Sequence, residues 1–476
     1  MTIDGKIRAR QAPARWCSRW LPASVVLIFL AACASYQQSP LPRQSALAPS
    51  VAALVLDKAK PALPGLRTHP FDPSDGLDMT ETATLAVLNN PALTALRKRR
   101  GVAKAELFAA GLLPDPQVTF SFDHPTSDGA GLINAAALAL AYDLLPLITR
   151  GARVDAAAAN RHRVDLELLW REWQVAQQAR ILYVRYLSEQ HRMALLKKSL
   201  ALYRRRYRLS SKALAAGNVK LDVAGTDLTV LVDTYSRLNR LKQAHAETDN
   251  ALTLLLGLKP DAPLALGPLS RPTPFAPALA RSQLKTVPDR RPDLLALKAG
   301  YASQEARVRK AVLAQFPAIN VGINRARDTG AVYTNGFSVS LSLPIFSANR
   351  GAIAVQRATR ERLRQEYRAR LAATEATVGR LLRTQRLIVE ARRILATYMP
   401  RLKRMVEGAR RAYATHDINA LTFLNMETTW INKQLEQQSL VQSQWESRIA
   451  LDTALAWRPR GRFARAGKKP APGAPQ

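Results

Sequence analysis

The residues that most often carry chemistry are scattered along this sequence of 476 residues. The histidines lack the short spacings of metal ligands; they are His69, His124, His162, His191, His245 and His416. No glycine-rich phosphate loop is present, and no nucleophile sits in a strand–turn–helix motif. A Ser-Ser-Lys triplet at residues 210–212 lies in a predicted helix, where a surface position is expected. We therefore predict that the protein is not an enzyme and binds no metal or cofactor.

Cys33 is the residue whose surroundings indicate a chemical modification. Basic residues between positions 6 and 19 precede an apolar run at 21–32, which is too short to span a bilayer and is typical of a signal peptide. The run ends in Leu-Ala-Ala-Cys, which resembles a bacterial lipobox, and Ala34 in place of Asp favours sorting to the outer membrane. We predict a signal peptide at 1–32 and a lipid-modified Cys33. An ordinary signal peptide with an incidental cysteine is the alternative.

The net charge is strongly positive. Lys and Arg number 70 against 36 Asp and Glu, a formal charge of +34 at pH 7. Such a field attracts nucleic acid, anionic lipid or acidic proteins. The basic residues are spread along helical segments and are not grouped beside aromatic stacking residues, so a nucleic-acid binder is disfavoured. Solvated helix faces explain the charge more simply.

An internal duplication organises the chain. Residues 90–122 align with 291–323 at a constant offset, so that Pro91 meets Pro292 and Pro116 meets Pro317. This predicts the following divisions: an extended Pro-, Ser- and Ala-rich linker at 33–78, a first repeat at 79–257, a linker at 258–290, a second repeat at 291–457 and a disordered basic tail at 458–476.

Each repeat predicts two strands, about 117–124 and 135–144 in the first and 318–326 and 335–343 in the second. In three of them apolar and polar residues alternate, which gives each strand two different faces. The apolar face holds Val118, Phe120, Phe122, Ile319, Val321, Ile323, Phe337, Val339, Leu341 and Leu343. The polar face holds Thr119, Ser121, Asn320, Asn324, Ser338, Ser340 and Ser342. Four strands cannot close a barrel alone, and an open sheet lacks a covering layer.

Long helical hairpins follow the strands, at about 150–257 with a tip near 217 and at about 350–457 with a tip near 416. The absence of Gly and Pro from 152–216 allows one helix of roughly 100 Å. The apolar spacing supports coiled-coil packing. Gly379, Pro400 and Gly408 predict a bend or break in the second hairpin.

This order of elements resembles the TolC-like outer-membrane efflux proteins. The resemblance covers about residues 80–457 and includes NPAL at 90–93, SLSLPIF at 340–346 and NRGAI at 349–353. It implies a mostly α fold with membrane β structure. Three chains would each give four strands to a twelve-stranded outer-membrane barrel, which continues into a periplasmic tunnel of helical hairpins. A closed barrel satisfies the bilayer's requirement that strand edges be paired, with apolar residues facing lipid and polar residues lining the pore.

The same resemblance implies partners. The protein would be a homotrimeric, passive exit duct, held in outer-membrane lipid and working with a periplasmic adaptor and an inner-membrane efflux pump. The hairpin tips would contact the adaptor; they comprise Gly217, Asn218, Val219, His416, Asp417 and Ile418.

The periplasmic gate departs from the family pattern. Many members constrict the tunnel with aspartates just after the second tip, and the corresponding residues here are the uncharged Thr422 and Asn425. Asp222, after the first tip, is a candidate for a substitute ring of carboxylates, or else a solvated helix residue.

Two other functions are compatible with the sequence: a duct for type I protein secretion and a structural coiled-coil envelope lipoprotein without a channel. The amphipathic strands disfavour the second. The segment at 342–351 favours pump-linked efflux of small molecules or metals over protein secretion, although drugs, metal ions, aromatic acids and secreted proteins are all compatible cargo.

Overall fold

A computed structural model describes residues 36–54, 63, 66, 69, 71–126 and 131–456. The predicted signal peptide, Cys33 and the basic tail lie outside these residues. The chain divides into two compact units after Ala46. In the first unit, the described residues 36–46 contain no helix or strand.

The second unit contains the same order of six elements twice, which agrees with the duplication. The first set is α1 (Met79–Asn89), α2 (Pro91–Gly111), β1 (Gln117–Asp123), β2 (Ala135–Asp143), α3 (Leu145–Ala215) and α4 (Leu221–Leu255). The second set is α5 (Pro277–Arg290), α6 (Pro292–Leu313), β3 (Ala318–Arg327), β4 (Tyr333–Ser342), α7 (Arg350–Ala414) and α8 (Ala420–Ala454). The prediction of a mostly helical chain with four strands is confirmed.

The segment at 258–290, expected as a linker, contains helix α5, so that the second set of elements begins at Pro277. Two features explain this helix. A proline in its first turn is compatible with a helix start, because the first backbone N–H groups have no partner within the helix. Ala280, Leu284 and Val287 follow at helical spacing and pack in one apolar cluster.

Of the bend or break expected in the second hairpin, the break does not occur. Helix α7 is one continuous helix of 65 residues with Pro400 inside it. A proline removes one backbone hydrogen bond. Leu395, Met399 and Val406 are buried on both sides of it, and this burial of apolar surface outweighs the loss. Among the described residues, no helix combines the length and apolar character that crossing a membrane requires.

Equivalent apolar clusters hold the middle of each half. In the first, α1 packs on α3 and on Leu252 and Leu256 at the end of α4. In the second, α5 packs on α7 and on Leu451 and Leu455 around the end of α8. A third cluster, which includes Tyr183, Trp445 and Ile449, joins α3 to α8 and thereby one half to the other. On α3, the first and third of these clusters lie between the strands, which precede the first residue of the helix, and the hairpin tip, which follows its last.

The four strands form one antiparallel sheet in the order β1-β2-β3-β4. The two repeats therefore meet inside the sheet, where β2 pairs with β3 from Ala136–Arg327 to Asp143–Asn320. Within the described part of the chain, the outer edges of β1 and β4 have no partner strand. These edges carry the unsatisfied hydrogen-bonding groups of the sheet.

Candidate pore wall and hairpin tips

One face of the sheet is apolar and exposed. Cross-strand partners share a face, and the registers bring together Val118 with Leu140, Phe120 with Leu138, Leu140 with Ile323, and Ile323 with Phe337. Phe120 is 69% and Phe337 71% exposed. All apolar strand residues predicted from the alternation fall on this face within β1, β3 and β4; Leu343 lies just beyond the end of β4 and is also exposed.

The opposite face is polar or small. Ser338 pairs with Gly322, Ser340 with Asn320, and Ser342 with Ala318. Asn324 pairs with Ala139 and Gly336, while Thr119 and Ser121 pair with alanines. A Cβ on Gly322 would lie 2.8 Å from the hydroxyl of Ser338 and 3.0 Å from the carbonyl oxygen of Leu140, which explains the glycine at this crowded position. The sheet thus separates an apolar surface from a hydrophilic one.

Sequence reasoning missed several residues of the apolar face. Leu138 and Leu140 belong to it, although the alanine-rich strand made its alternation hard to see. Arg325 and Arg327 also lie on this face, at the end of the sheet that is remote from the long helices. The strict alternation of β3 could have placed both arginines there, since they share the parity of Ile319, Val321 and Ile323.

The two hairpin tips have the same backbone geometry. At the first tip Gly217 has a φ of +71°, and Asn218 N–H donates to the Ala213 carbonyl at 2.8 Å. At the second tip His416 has a φ of +65°, and Asp417 N–H donates to the Ala412 carbonyl at 2.8 Å. Both arrangements are the motif that commonly ends a helix with a left-handed residue. The predicted tip residues therefore lie at sharp, matching turns.

The gate candidates lie just beyond these turns. Asp222 is exposed in the first turn of α4 and accepts the N–H of Val223. Thr422 is exposed at the start of α8, and its N–H donates to the Asn419 side chain. Asn425, one turn further along α8, accepts a hydrogen bond from Arg206 of α3. Among the described residues, Asn425 hydrogen-bonds to a side chain of another helix, whereas Asp222 and Thr422 form no such hydrogen bond.

Arg206 is the centre of an inter-helix network. Its Nε lies 2.6 Å from Oδ1 of Asp227, whose residue is only 2% exposed on α4. Its Nη1 donates to Asn425 on α8. One guanidinium therefore joins three helices near the tips, and neither Arg206 nor Asp227 was identified from sequence.

Neighbouring arginines make further inter-helix contacts. Arg204 donates to the Tyr235 hydroxyl on α4 at 2.6 Å, and Arg205 donates to the Tyr413 hydroxyl on α7 at 3.1 Å. Three consecutive arginines of α3 thus contact all three other long helices. Some of the many arginines therefore link helices to one another and are not simply solvated.

A second set of buried charges lies in the middle of the molecule. Asp452 of α8 is 5% exposed and accepts from Arg448 at 3.2 Å. Burial raises the pKa of this carboxyl to about 6, against the opposing effect of Arg448 and Arg180. Arg180 is itself buried, which lowers the pKa of its guanidinium. At neutral pH the carboxylate is ionised and paired.

One group among the described residues has the composition of a metal site: His69, Asp78 and Glu81. Asp78 caps α1, because its carboxylate accepts hydrogen bonds from the N–H groups of Thr80 and Glu81. In return, the Glu81 carboxylate accepts a hydrogen bond from the N–H of Asp78. Glu81 also accepts the N–H of Asp72 at 2.6 Å. This reciprocal capping accounts for both carboxylates as structural groups.

Comparisons with solved structures agree on the fold. This chain superposes on CusC with a TM-score of 0.64 at 17% identity, covering 84% of this chain and 98% of CusC. For the CmeC outer membrane channel of Campylobacter jejuni the TM-score is 0.63 at 16% identity, covering 88% and 94%. For the outer membrane protein VceC of Vibrio cholerae it is 0.62 at 15% identity, covering 79% and 95%. No family model and no curated protein matches the sequence. The fold expected from the TolC-like resemblance is confirmed.

Proposed function

We propose that the protein is the outer-membrane exit duct of a tripartite efflux system, and that it passively conducts small molecules or metal ions. Three chains would close a twelve-stranded barrel, with the long helices forming a periplasmic tunnel. The barrel would be held by outer-membrane lipid and by acyl chains on Cys33.

The observation that carries this proposal is the two-faced sheet with unpaired edges. An exposed apolar face with Phe120 and Phe337 is stable in contact with hydrocarbon, and the serine-lined face is stable in contact with water. A bilayer admits strands only when every edge is paired. Joining β4 of one chain to β1 of the next removes both edges and encloses the polar face as a pore. A structural coiled-coil lipoprotein without a channel would not account for a sheet with an exposed apolar face.

The fold neighbours support the same assignment. CusC undergoes transmembrane channel formation, and CmeC and OprN are outer-membrane channels. By this likeness, an inner-membrane pump would supply the energy and a periplasmic adaptor would contact the tips around residues 217–219 and 416–418. The contact from Arg206 makes Asn425 the strongest of the three gate candidates, because it links α8 to the first hairpin at the level where the tunnel would narrow.

The proposal is tested by native mass spectrometry of the full-length protein extracted from outer membranes, combined with conductance measurements in planar bilayers. We expect a trimer with an acyl modification on each Cys33 and discrete conductance steps. An acylated monomer without conductance would retain the lipoprotein and refute the duct. An unmodified trimer that conducts would retain the duct and refute the lipid anchor.

A further inference from the structure

Two arginines interrupt the apolar face of the sheet. Arg325 lies next to Leu138 and Asn335 in the register, and Arg327 next to Ala136 and Tyr333. The side chains are two residues apart on one strand, so their Cα atoms are about 6.6 Å apart on the same face. Both lie at the end of the sheet that is farthest from the long helices.

Neither arginine forms an ion pair within the described part of the chain. Arg325 is exposed and makes no side-chain hydrogen bond there. Arg327 is half-buried: its Nη2 donates to the Asn134 carbonyl at 3.0 Å, and its Nε is buried without a hydrogen-bond partner among the described residues. The adjacent Asp328 accepts the N–H groups of Gly330 and Val332 and thereby stabilises its own turn. Asp123, at the same end, lies on the opposite face of the sheet. Two cations therefore lie on the apolar face without a described counter-charge, Arg325 exposed and Arg327 half-buried.

The position of Arg325 and Arg327 on the sheet indicates where the barrel wall would meet the membrane–water interface. An arginine on the outward face of a barrel is costly near the bilayer midplane and almost free of cost at the interface. Tyrosine is enriched at the same interface, and Tyr333 is the register partner of Arg327. With the helices in the periplasm, this end of the sheet lies at the outer leaflet. The apolar band from Ile319 to Ile323 then occupies the hydrocarbon below it.

We propose that Arg325 and Arg327 bind the phosphate groups of the phosphorylated glycolipid of the outer leaflet. The inference rests on the proposed function, because it takes the sheet as a barrel wall in the outer membrane. A guanidinium donates two parallel N–H bonds to phosphate oxygens, which favours arginine over lysine at such a site. A second copy of the chain fits less well as the occupant, since β3 is an interior strand separated from either open edge by β4 or by β2 and β1.

The test uses the purified full-length protein in detergent, titrated with lipid A and observed by native mass spectrometry. The R325Q/R327Q variant removes both guanidinium groups. The R401Q/R404Q variant is the matched control, because it removes two exposed arginines from α7, far from the sheet in sequence. We expect lipid A to bind the double sheet variant roughly tenfold or more weakly than the wild type, and to bind the control as it binds the wild type. The single variant R325Q leaves the Asn134 contact intact and should show a smaller loss.

Unchanged binding of lipid A to R325Q/R327Q, or an equal loss in the α7 control, would overturn the inference. Equal binding of phosphatidylglycerol, lost in the same variant, would overturn the assignment to the glycolipid. Phosphatidylethanolamine, a zwitterionic phospholipid, should bind weakly and equally to all variants. The duct has a separate readout: a wild-type protein that neither forms trimers nor conducts would refute the proposed function. If the wild type is a conducting trimer and R325Q/R327Q binds lipid A as the wild type does, only the inference about the arginines is refuted.

Discussion

Replacing Arg206 by methionine should destabilise the region of the hairpin tips. The change leaves the Asp227 carboxylate, 2% exposed, without the guanidinium that lies 2.6 Å from it. Removing one partner of a buried ion pair typically costs about 3–5 kcal/mol, because the remaining charge stays buried and uncompensated. The Arg206 side chain is one-fifth exposed, so the lower end of that range applies. A loss of about 3 kcal/mol raises the population of locally opened tips by roughly two powers of ten.

Hydrogen–deuterium exchange followed by peptide mass spectrometry measures this opening. Peptides from the starts of α4 and α8 should exchange about a hundredfold faster in the variant, while peptides from the sheet remain unchanged. Arg208→Met is the matched control, since Arg208 is exposed and forms no ion pair in the described structure. If the duct proposal is right, Arg206→Met trimers should also show longer open events in planar bilayers.

A double variant identifies the cause. Arg206→Met/Asp227→Leu removes both charges, and replacing a buried pair by apolar residues is often close to neutral. We expect it to restore most of the exchange protection that the single variant loses. Equal exchange in the wild type and Arg206→Met would refute the reasoning. So would a double variant at least as unstable as the single one, because the buried unpaired charge would then not be the source of the loss.

Three further predictions follow from the sheet, the buried carboxylate and the N-terminal cysteine. In the assembled barrel, a cysteine replacing Ser340 should react with a charged, water-soluble thiol reagent, and the reaction should lower conductance. A cysteine replacing Val339 should not react. The reverse pattern would show that the Val339 face, and not the Ser340 face, lines the pore. Because the folded Asp452 carboxyl holds its proton up to pH about 6 and the unfolded one only to about 3.8, the folded state binds more protons between these values. The free energy of unfolding should therefore fall as pH rises from 4 to 6, by up to about 3 kcal/mol, and D452N should flatten this slope in thermal unfolding. Cys33→Ala should abolish incorporation of labelled palmitate, and continued labelling would refute the lipobox.

Much of the architecture was predictable because it is encoded locally. The period-two alternation around Phe337 and Ser338 identifies a two-faced strand without knowledge of its neighbours. The duplication then transfers each element of one half to the other. Helix α5 was missed because it is short and follows a proline-rich stretch, although Ala280 and Val287 already show helical spacing. Its stability comes from packing on α7, which no local pattern reveals.

The network at the tips was less accessible from sequence. Arg206 and Asn425 are separated by 219 residues, and only the packing of the hairpins brings them together. Asp227 did leave a signal, because it occupies a position in the buried stripe that includes Ala224, Leu231 and Leu238. An acid at such a position requires a partner. The identity of that partner follows from three-dimensional packing alone.

The unpaired edges of β1 and β4 bear on genetics as well as assembly. If a chain can enter the bilayer only after its edges are paired, a variant that damages one edge, such as a proline in the middle of β1, would still offer its intact β4 to normal chains. Each such mixed ring would fail to close. For the proposed trimeric duct, co-expression should therefore give dominant loss of export, with equal amounts of the two chains leaving about one ring in eight fully normal if chains assort at random. An ordinary loss-of-function allele, by contrast, would be recessive.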